Sequence, residues 1–208
     1  EDGPVRDSLS YNNMGEADMV ALLILDEKEE NCKILTLNRD TMMSIPILGL
    51  GGKTAGTKVA QLALAHTYGS GLEDSARNTC DTISALLYGT EIDYFVAMHM
   101  DAIPIFNDAV GGVTVNVVDD FSQVDPTLTK GELTLFGKQA VNYVQARWHV
   151  GDELNLSRME RHREYMHNFA AMNLCSSHSS VCRASAYRFT VKDNLGSVYR
   201  IYFFFCGV

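Results

Sequence analysis

Two stretches of this sequence place charged side chains where they can do chemistry. The first is Asn38-Arg39-Asp40-Thr41, which follows directly on the apolar stretch Lys33 to Leu37. The C-terminal end of a strand is where open α/β sheets place their ligands, and a guanidinium there can hold a phosphate through two donors. An Arg39–Asp40 surface pair or a turn cap is the competing reading. Asp18 stands just before the apolar run Met19 to Leu25, near enough in such a sheet to share a site with Arg39. A carboxylate beside phosphate-binding arginines needs a divalent metal between itself and the anion; a plain strand-edge aspartate competes. The second stretch holds Gln145, Arg147, Gly151-Asp152, Asn155, Arg158, Arg161, His162 and Arg163. Arg158, Arg161 and His162 lie three and four apart, so on a helix they share a face. Basic side chains in the first turns of a helix oppose its dipole, which costs stability unless an anion is present. A solvated face with Glu160 and Glu164 as partners competes. Together these signals point to an anion site built from Arg39, Arg147 and Arg158, with Asp18 bringing a divalent metal. Pyrophosphate is the anion that best suits several arginines and one metal.

The common alternatives lack support. No Gly-x-Gly-x-x-Gly follows a strand, no Gly-Lys-Ser/Thr phosphate loop occurs, and no Gly-x-Ser-x-Gly elbow is present. His66, His99, His149, His162, His167 and His178 form no metal pattern, and Cys32, Cys80, Cys175, Cys182 and Cys206 form neither a disulfide framework nor a zinc pair. These cysteines read as buried or incidental thiols.

The elements that must position these residues alternate. Met19–Leu25, 33–37, 94–98 and 113–118 read as strands. Val59 to Tyr68, Ser75 to Tyr88, a short segment capped by Asp101, Lys138 to Arg147 and Ser157 to Leu174 read as helices, with Gly69 and Gly89 as C-terminal caps. The last helix carries Met159, Tyr165, Met166 and Phe169 along its apolar side. Interleaved helices and strands predict an α/β layered domain. The 208 residues are 46% hydrophobic, enough for one substantial core. Seventeen basic residues against 26 acidic give a net charge of −9, which argues against nucleic acid or an anionic lipid surface as a general partner. Residues 1–173 carry net −12 and residues 174–208 net +3, so the last segment reads as an atypical tail, a hairpin turning at Asn194-Leu195-Gly196 or a disordered or foreign terminus. No stretch of 18 apolar residues crosses a membrane.

The ordered set Gly15-Glu16-Ala17-Asp18, Leu37-Asn38-Arg39-Asp40-Thr41, Ile92-Asp93-Tyr94, Ala109-Val110-Gly111-Gly112-Val113, Leu135-Phe136-Gly137-Lys138-Gln139-Ala140, Val144-Gln145-Ala146-Arg147 and Asn155-Leu156-Ser157-Arg158-Met159-Glu160-Arg161 resembles the LytR-CpsA-Psr family over about residues 1–173. The resemblance implies a three-layer α/β/α sandwich around a mixed central sheet, with a lipid tail buried between sheet and helices. It implies transfer of a glycopolymer, such as a teichoic acid or capsular polysaccharide, from a polyprenyl-pyrophosphate carrier to peptidoglycan. The place implied is the extracytoplasmic face of the bacterial cytoplasmic membrane, reached through an anchor upstream of Glu1. By the same resemblance Arg39 is the pyrophosphate-binding arginine after the strand, Asp18 a Mg2+-binding carboxylate and Asp2 an earlier one. Arg147 is the second member of an Arg-x-Arg pair, Arg158 opens the late helix and Arg161 follows it. Asp40 and Asp152 are candidate bases, and Leu62, Leu64, Leu86 and Leu87 can line the lipid pocket or be ordinary core.

The sequence departs from the family pattern at Gln145 in place of the first arginine of the pair, at Glu16 in place of a basic residue, at His162 in place of a glutamine, at Gln61 in place of a helix lysine, and at Asn155 in place of an aspartate. Two lost phosphate contacts at ~1.5–3 kcal/mol each amount to ~10²–10⁴-fold. Gln145, Gln61 and His162 can still donate to a substrate. A catalytically weak binding protein for polyprenyl-pyrophosphate lipids is therefore the alternative expectation.

Overall fold

A computed structural model describes residues 15–26, 31–49, 51–175 and 198–207. Chain contacts divide into two compact units, one up to His99 together with the last strand and one from Met100 onward. The expected α/β class is what forms.

In the first unit, β1 (Glu16–Asp26) pairs antiparallel with β2 (Asn31–Leu37), from Val20 opposite Leu37 to Asp26 opposite Asn31. Met19, Val20, Ala21 and Leu22 are all buried on consecutive positions, so both faces of β1 are covered, which is why it reads as an unbroken apolar run. Then come β3 (Met42–Leu48), β4 (Thr54–Gln61), a 3-10 turn at Leu62–Leu64, α1 (Leu72–Leu86) and β5 (Tyr94–His99). The principal sheet is mixed, in the order β2-β1-β8-β5. Its β8 (Val198–Gly207) runs antiparallel to β1 and parallel to β5. Part of the segment set apart as an atypical tail is thus an internal strand of this sheet; the expected turn at Asn194-Leu195-Gly196 lies outside the described residues.

Three expectations are corrected here. The first strand begins at Glu16 rather than after Asp18. Val59 to Tyr68 is not a helix: Val59 to Gln61 end β4, which pairs with β3 from Met42 opposite Gln61 to Leu48 opposite Thr54. Gln61 therefore sits exposed at a strand end and not on a helix. The hairpin partner 42–48 outweighs local helical spacing, since strand formation depends on neighbours more than on propensity. Gly69 caps no helix; it is where the chain passes so close to α1 that an added Cβ would stand 2.3 Å from Ser75 Cα.

Helix α1 is fastened by Asn78, whose side-chain amide donates to the carbonyls of Ala65 at 2.7 Å and Pro46 at 3.0 Å. Its apolar positions Ala76 and Ile83 join Ala17, Val20, Ile45, Ala60, Leu62 and Ala65 in one core. Of the leucines considered for a lipid pocket, Leu62 lies in that core, and Leu64 and Leu87 pack against it half-buried.

The second unit contains α2 (Ala102–Ala109), the antiparallel pair β6 (Val113–Val117) and β7 (Gly131–Leu135), α3 (Lys138–Gln145) and α4 (Asn155–Cys175). Val113, Val115 and Val117 are buried at alternate positions, the period of a strand with one covered face. Asn107 is fully buried and ties three elements together. Its amide nitrogen donates to Leu135 O, and its oxygen accepts from Val113 N and from the Tyr165 hydroxyl. Among the described residues, no helix is long and apolar enough to cross a membrane.

Candidate anion-binding site

Arg39 is held by a turn built from its neighbours. Thr41 N donates to Asn38 O at 3.0 Å, closing a β-turn, and Asp40 N donates to the Asn38 side-chain oxygen at 2.9 Å. The 3-10 segment then grips that turn: Ala63 N donates to Arg39 O at 2.9 Å and Leu62 N to Thr41 O at 2.8 Å. The backbone of Arg39 is thereby fixed at the end of β2.

Its side chain is only 11% exposed and its guanidinium points at β1 residues. One terminal nitrogen donates to the Asp18 carboxylate and the other to the Glu16 carboxylate. Asp40 lies further off, with Oδ1 4.0 Å from Nε. Glu16 and Asp18 are two apart on a strand, so their side chains leave the same side. Asp18 also sits at a register shift, since Ala17 faces Cys206 while Met19 faces Phe205. An extra residue of this kind re-aims a side chain without breaking the strand. Sequence reasoning brings Asp18 and Arg39 together correctly. It treats Glu16 only as a missing positive charge, whereas Glu16 is a direct partner of Arg39; the period-two spacing to Asp18 is the signal that would have revealed it.

The donor set bears on Mg2+. This ion keeps several waters and takes one or two carboxylates plus substrate phosphate oxygens. Asp18, with a second carboxylate beside it on the same guanidinium, suits that pattern. Among the described residues no group of three or more His, Cys, Asp or Glu forms an all-protein cage. Asp2 lies outside the described residues.

The second unit holds the other charged set. Asn155, Arg158, Arg161, His162, Tyr165 and Met166 form the buried face of α4, polar at its start and apolar further on. Arg161 donates from Nε to Tyr143 O at 3.2 Å, from one terminal nitrogen to Ala146 O, and from the other to Asp119 Oδ2 at 2.8 Å. Its guanidinium also covers the Phe121 ring at 5.4 Å. His162 Nε2 lies 2.8 Å from Val144 O; a carbonyl only accepts, so that nitrogen carries the hydrogen. The carbonyls of Tyr143, Val144 and Ala146 are those that the last turn of α3 leaves without helical donors. Two basic side chains of α4 therefore cap the C-terminus of α3, where the dipole favours positive charge. The solvated-face reading of Arg158, Arg161 and His162 fails, because all three are buried. Glu164 does not pair with them in these bonds; it accepts from Asn116 N and the Tyr143 hydroxyl.

This cap sets the exit from α3. Gln145 is the last helical residue and is exposed, and Ala146 turns extended with ψ 131°. Arg147 follows, its Nε donating to Glu153 O at 3.1 Å and its guanidinium lying 5.1 Å from the Trp148 ring centre. Arg158 donates to the Asn155 side-chain oxygen at 2.9 Å. Arg147 and Arg158 thus take different partners. Asp152 accepts from Leu154 N at 2.9 Å. The Ser157 hydroxyl, with the Leu154 amide, holds its carboxyl below the usual range. Asp152 is therefore a turn and cap residue before α4, and Gly151-Asp152 ahead of a helix start is the signal for that. Asp119, the carboxylate on Arg161, is a partner that sequence reasoning misses.

A polyisoprenyl-teichoic acid–peptidoglycan teichoic acid transferase, TagU of Oceanobacillus iheyensis, is 28% identical over 174 residues, 83% of this chain and 50% of its own length. The protein of the same name from Halalkalibacterium halodurans is 29% identical over 181 residues, 86% of this chain and 54% of its own. The chain thus spans about half the length of the curated relatives it matches. The crystal structure of protein gbs0355 from Streptococcus agalactiae shares the fold, with a TM-score of 0.67 at 23% identity over 87% of this chain and 62% of that one. The model of the LytR_cpsA_psr family matches residues 5–196, and the chain belongs to that family.

Proposed function

We propose that this chain is the catalytic region of a transferase that moves a teichoic-acid-class glycopolymer from a polyprenyl-pyrophosphate carrier to peptidoglycan, outside the cytoplasmic membrane. The observation that carries the reading is the fixed guanidinium of Arg39 at the end of β2 with Asp18 against it, in a chain whose relatives are named teichoic acid transferases.

In this reading Arg39 donates to phosphate oxygens and stabilises charge as the bridging bond breaks. A hydroxyl of the peptidoglycan acceptor attacks the phosphorus nearer the glycan. One O–P bond forms, the bridging P–O bond breaks, and polyprenyl monophosphate leaves. Asp152 is engaged as a turn and cap residue by Leu154 N, so the reading gives the hydroxyl proton to Asp40, beside Arg39 in the same turn. Arg161 and His162 hold the α3 end from which Arg147 departs. Asp18, with Asp2, would hold Mg2+, which when bound neutralises phosphate charge.

A second reading, a binding protein that turns over slowly, is favoured by Glu16, whose carboxylate occupies a phosphate-binding nitrogen of Arg39. One experiment separates the two. The chain is incubated with a polyprenyl-pyrophosphate analogue with and without Mg2+, and release of lipid monophosphate is followed beside Arg39→Ala. Mg2+-dependent release that Arg39→Ala abolishes is expected of the transferase. Retained lipid without release supports the binding protein, and neither release nor retention refutes both.

A further inference from the structure

The Arg39 guanidinium carries one positive charge, yet three carboxylates surround it. Asp18 and Glu16 each accept from a terminal nitrogen, and Asp40 stands 4.0 Å from Nε. Asp18 and Asp40 fit the site's chemistry as metal ligand and base. Glu16 sits on the nitrogen that Asp18 leaves, and without a divalent cation its charge has only the guanidinium's to meet in these bonds. Its side chain is 54% exposed while that of Arg39 is 11% exposed, so it is the member of the pair that solvent and ions reach. A guanidinium binds phosphate best when both terminal nitrogens face the anion. Here both already serve carboxylates; of the two, Glu16 is the more exposed, so it is the one an incoming phosphate oxygen displaces, and the freed carboxylate then repels the anion.

We infer that Glu16 is an intramolecular competitor for the phosphate subsite at Arg39, and that it sets the chain's affinity for its pyrophosphate-bearing substrate. The inference rests on the anion-site reading above. It makes Glu16 a determinant of substrate affinity, and it predicts that Arg39 gains affinity when Glu16 is neutralised. A residue that merely buttressed Arg39 would do the opposite: its loss would free the guanidinium to wander and weaken binding.

The test is calorimetric titration of inorganic pyrophosphate into the chain at constant ionic strength in the presence of a chelator, so that no divalent cation contributes. Wild type, Glu16→Gln, Glu16→Lys and Arg39→Ala are compared. Because exposed ion pairs are screened and weak, Glu16→Gln should bind about three- to tenfold more tightly than wild type. Glu16→Lys, which changes the charge by two, should exceed it, and Arg39→Ala should bind more weakly than all. Equal or weaker binding by Glu16→Gln, with Arg39→Ala still the weakest, overturns the competitor role while leaving the anion site intact. Undiminished binding by Arg39→Ala overturns the anion site itself and the competitor role with it. Glu16 is exposed at the first residue of its strand, and matching circular dichroism spectra would confirm that the variants fold alike.

Discussion

Replacing Arg161 by methionine tests whether the α4 arginines serve the fold or the ligand. Methionine keeps an unbranched apolar stem against Phe121 and removes every donor. Three acceptors then lose their partner: the carbonyls of Tyr143 and Ala146 and the Asp119 carboxylate. Removing one member of a buried ion pair costs about 3–5 kcal/mol, because the other charge stays behind. Asp119 is 22% exposed, so water partly compensates and the lower end applies. Loss of the contact over Phe121 adds at most ~1 kcal/mol. The expected destabilisation is therefore about 3–4 kcal/mol, a large share of the ~5–15 kcal/mol of a typical domain. At ~2–4 °C per kcal/mol for a chain of this size, Tm should fall by about 6–16 °C. Urea unfolding followed by circular dichroism should show a lower midpoint at unchanged slope. Arg161→Lys keeps the charge but not the fork, and should fall between. A cycle with Asp119→Asn should give a coupling of about 1 kcal/mol or more. If Arg161→Met unfolds within ~0.5 kcal/mol of wild type yet loses pyrophosphate binding, the capping argument is wrong and Arg161 faces the ligand.

Two further expectations concern the first unit. Burial pushes the His66 imidazole down to about 4, against an opposing hydrogen bond to the Gly15 backbone. The unfolded chain takes that proton near pH 6.5 and the folded chain only near 4, so this contribution is complete above the unfolded value and is lost as pH falls through that window, by on the order of 3 kcal/mol. The urea midpoint of wild type should drop between those pH values more steeply than that of His66→Gln, and parallel curves would refute the assignment. Gly69→Ala forces a Cβ onto the backbone of Ser75 and should cost about 1–3 kcal/mol; Gly56→Ala, whose Cβ meets nothing within 4 Å, is the control, and equal midpoints for the two would contradict the close approach.

Much of the architecture is legible in the residues. The apolar runs at Met19–Leu25 and 113–118 and the amphipathic stretch 157–174 fall within or close to β1, β6 and α4, because periodicity and run length are local properties. The hairpin of β3 and β4 is not legible. Met42–Leu48 and Thr54–Gln61 are strands because they pair with each other, and segment 59–68 on its own carries spacing that suits a helix. The strand β8 is hidden for the same reason: its neighbours, β1 and β5, lie far away in sequence.

For the site, residue types and order place Arg39 at a strand end with Asp18 near it, a phosphate-site reading that competes with a surface pair or a strand-edge aspartate. Tertiary structure decides what each charge does. Glu16 looks like an absence in the sequence, yet across a separation of 23 residues it accepts a hydrogen bond from Arg39. Arg161 and His162 look like ligand-binding residues beside Arg158, yet across separations of 15 to 18 residues they satisfy the carbonyls at the end of α3. A helix end must find donors wherever the fold supplies them, and no local pattern says which distant side chain will do so.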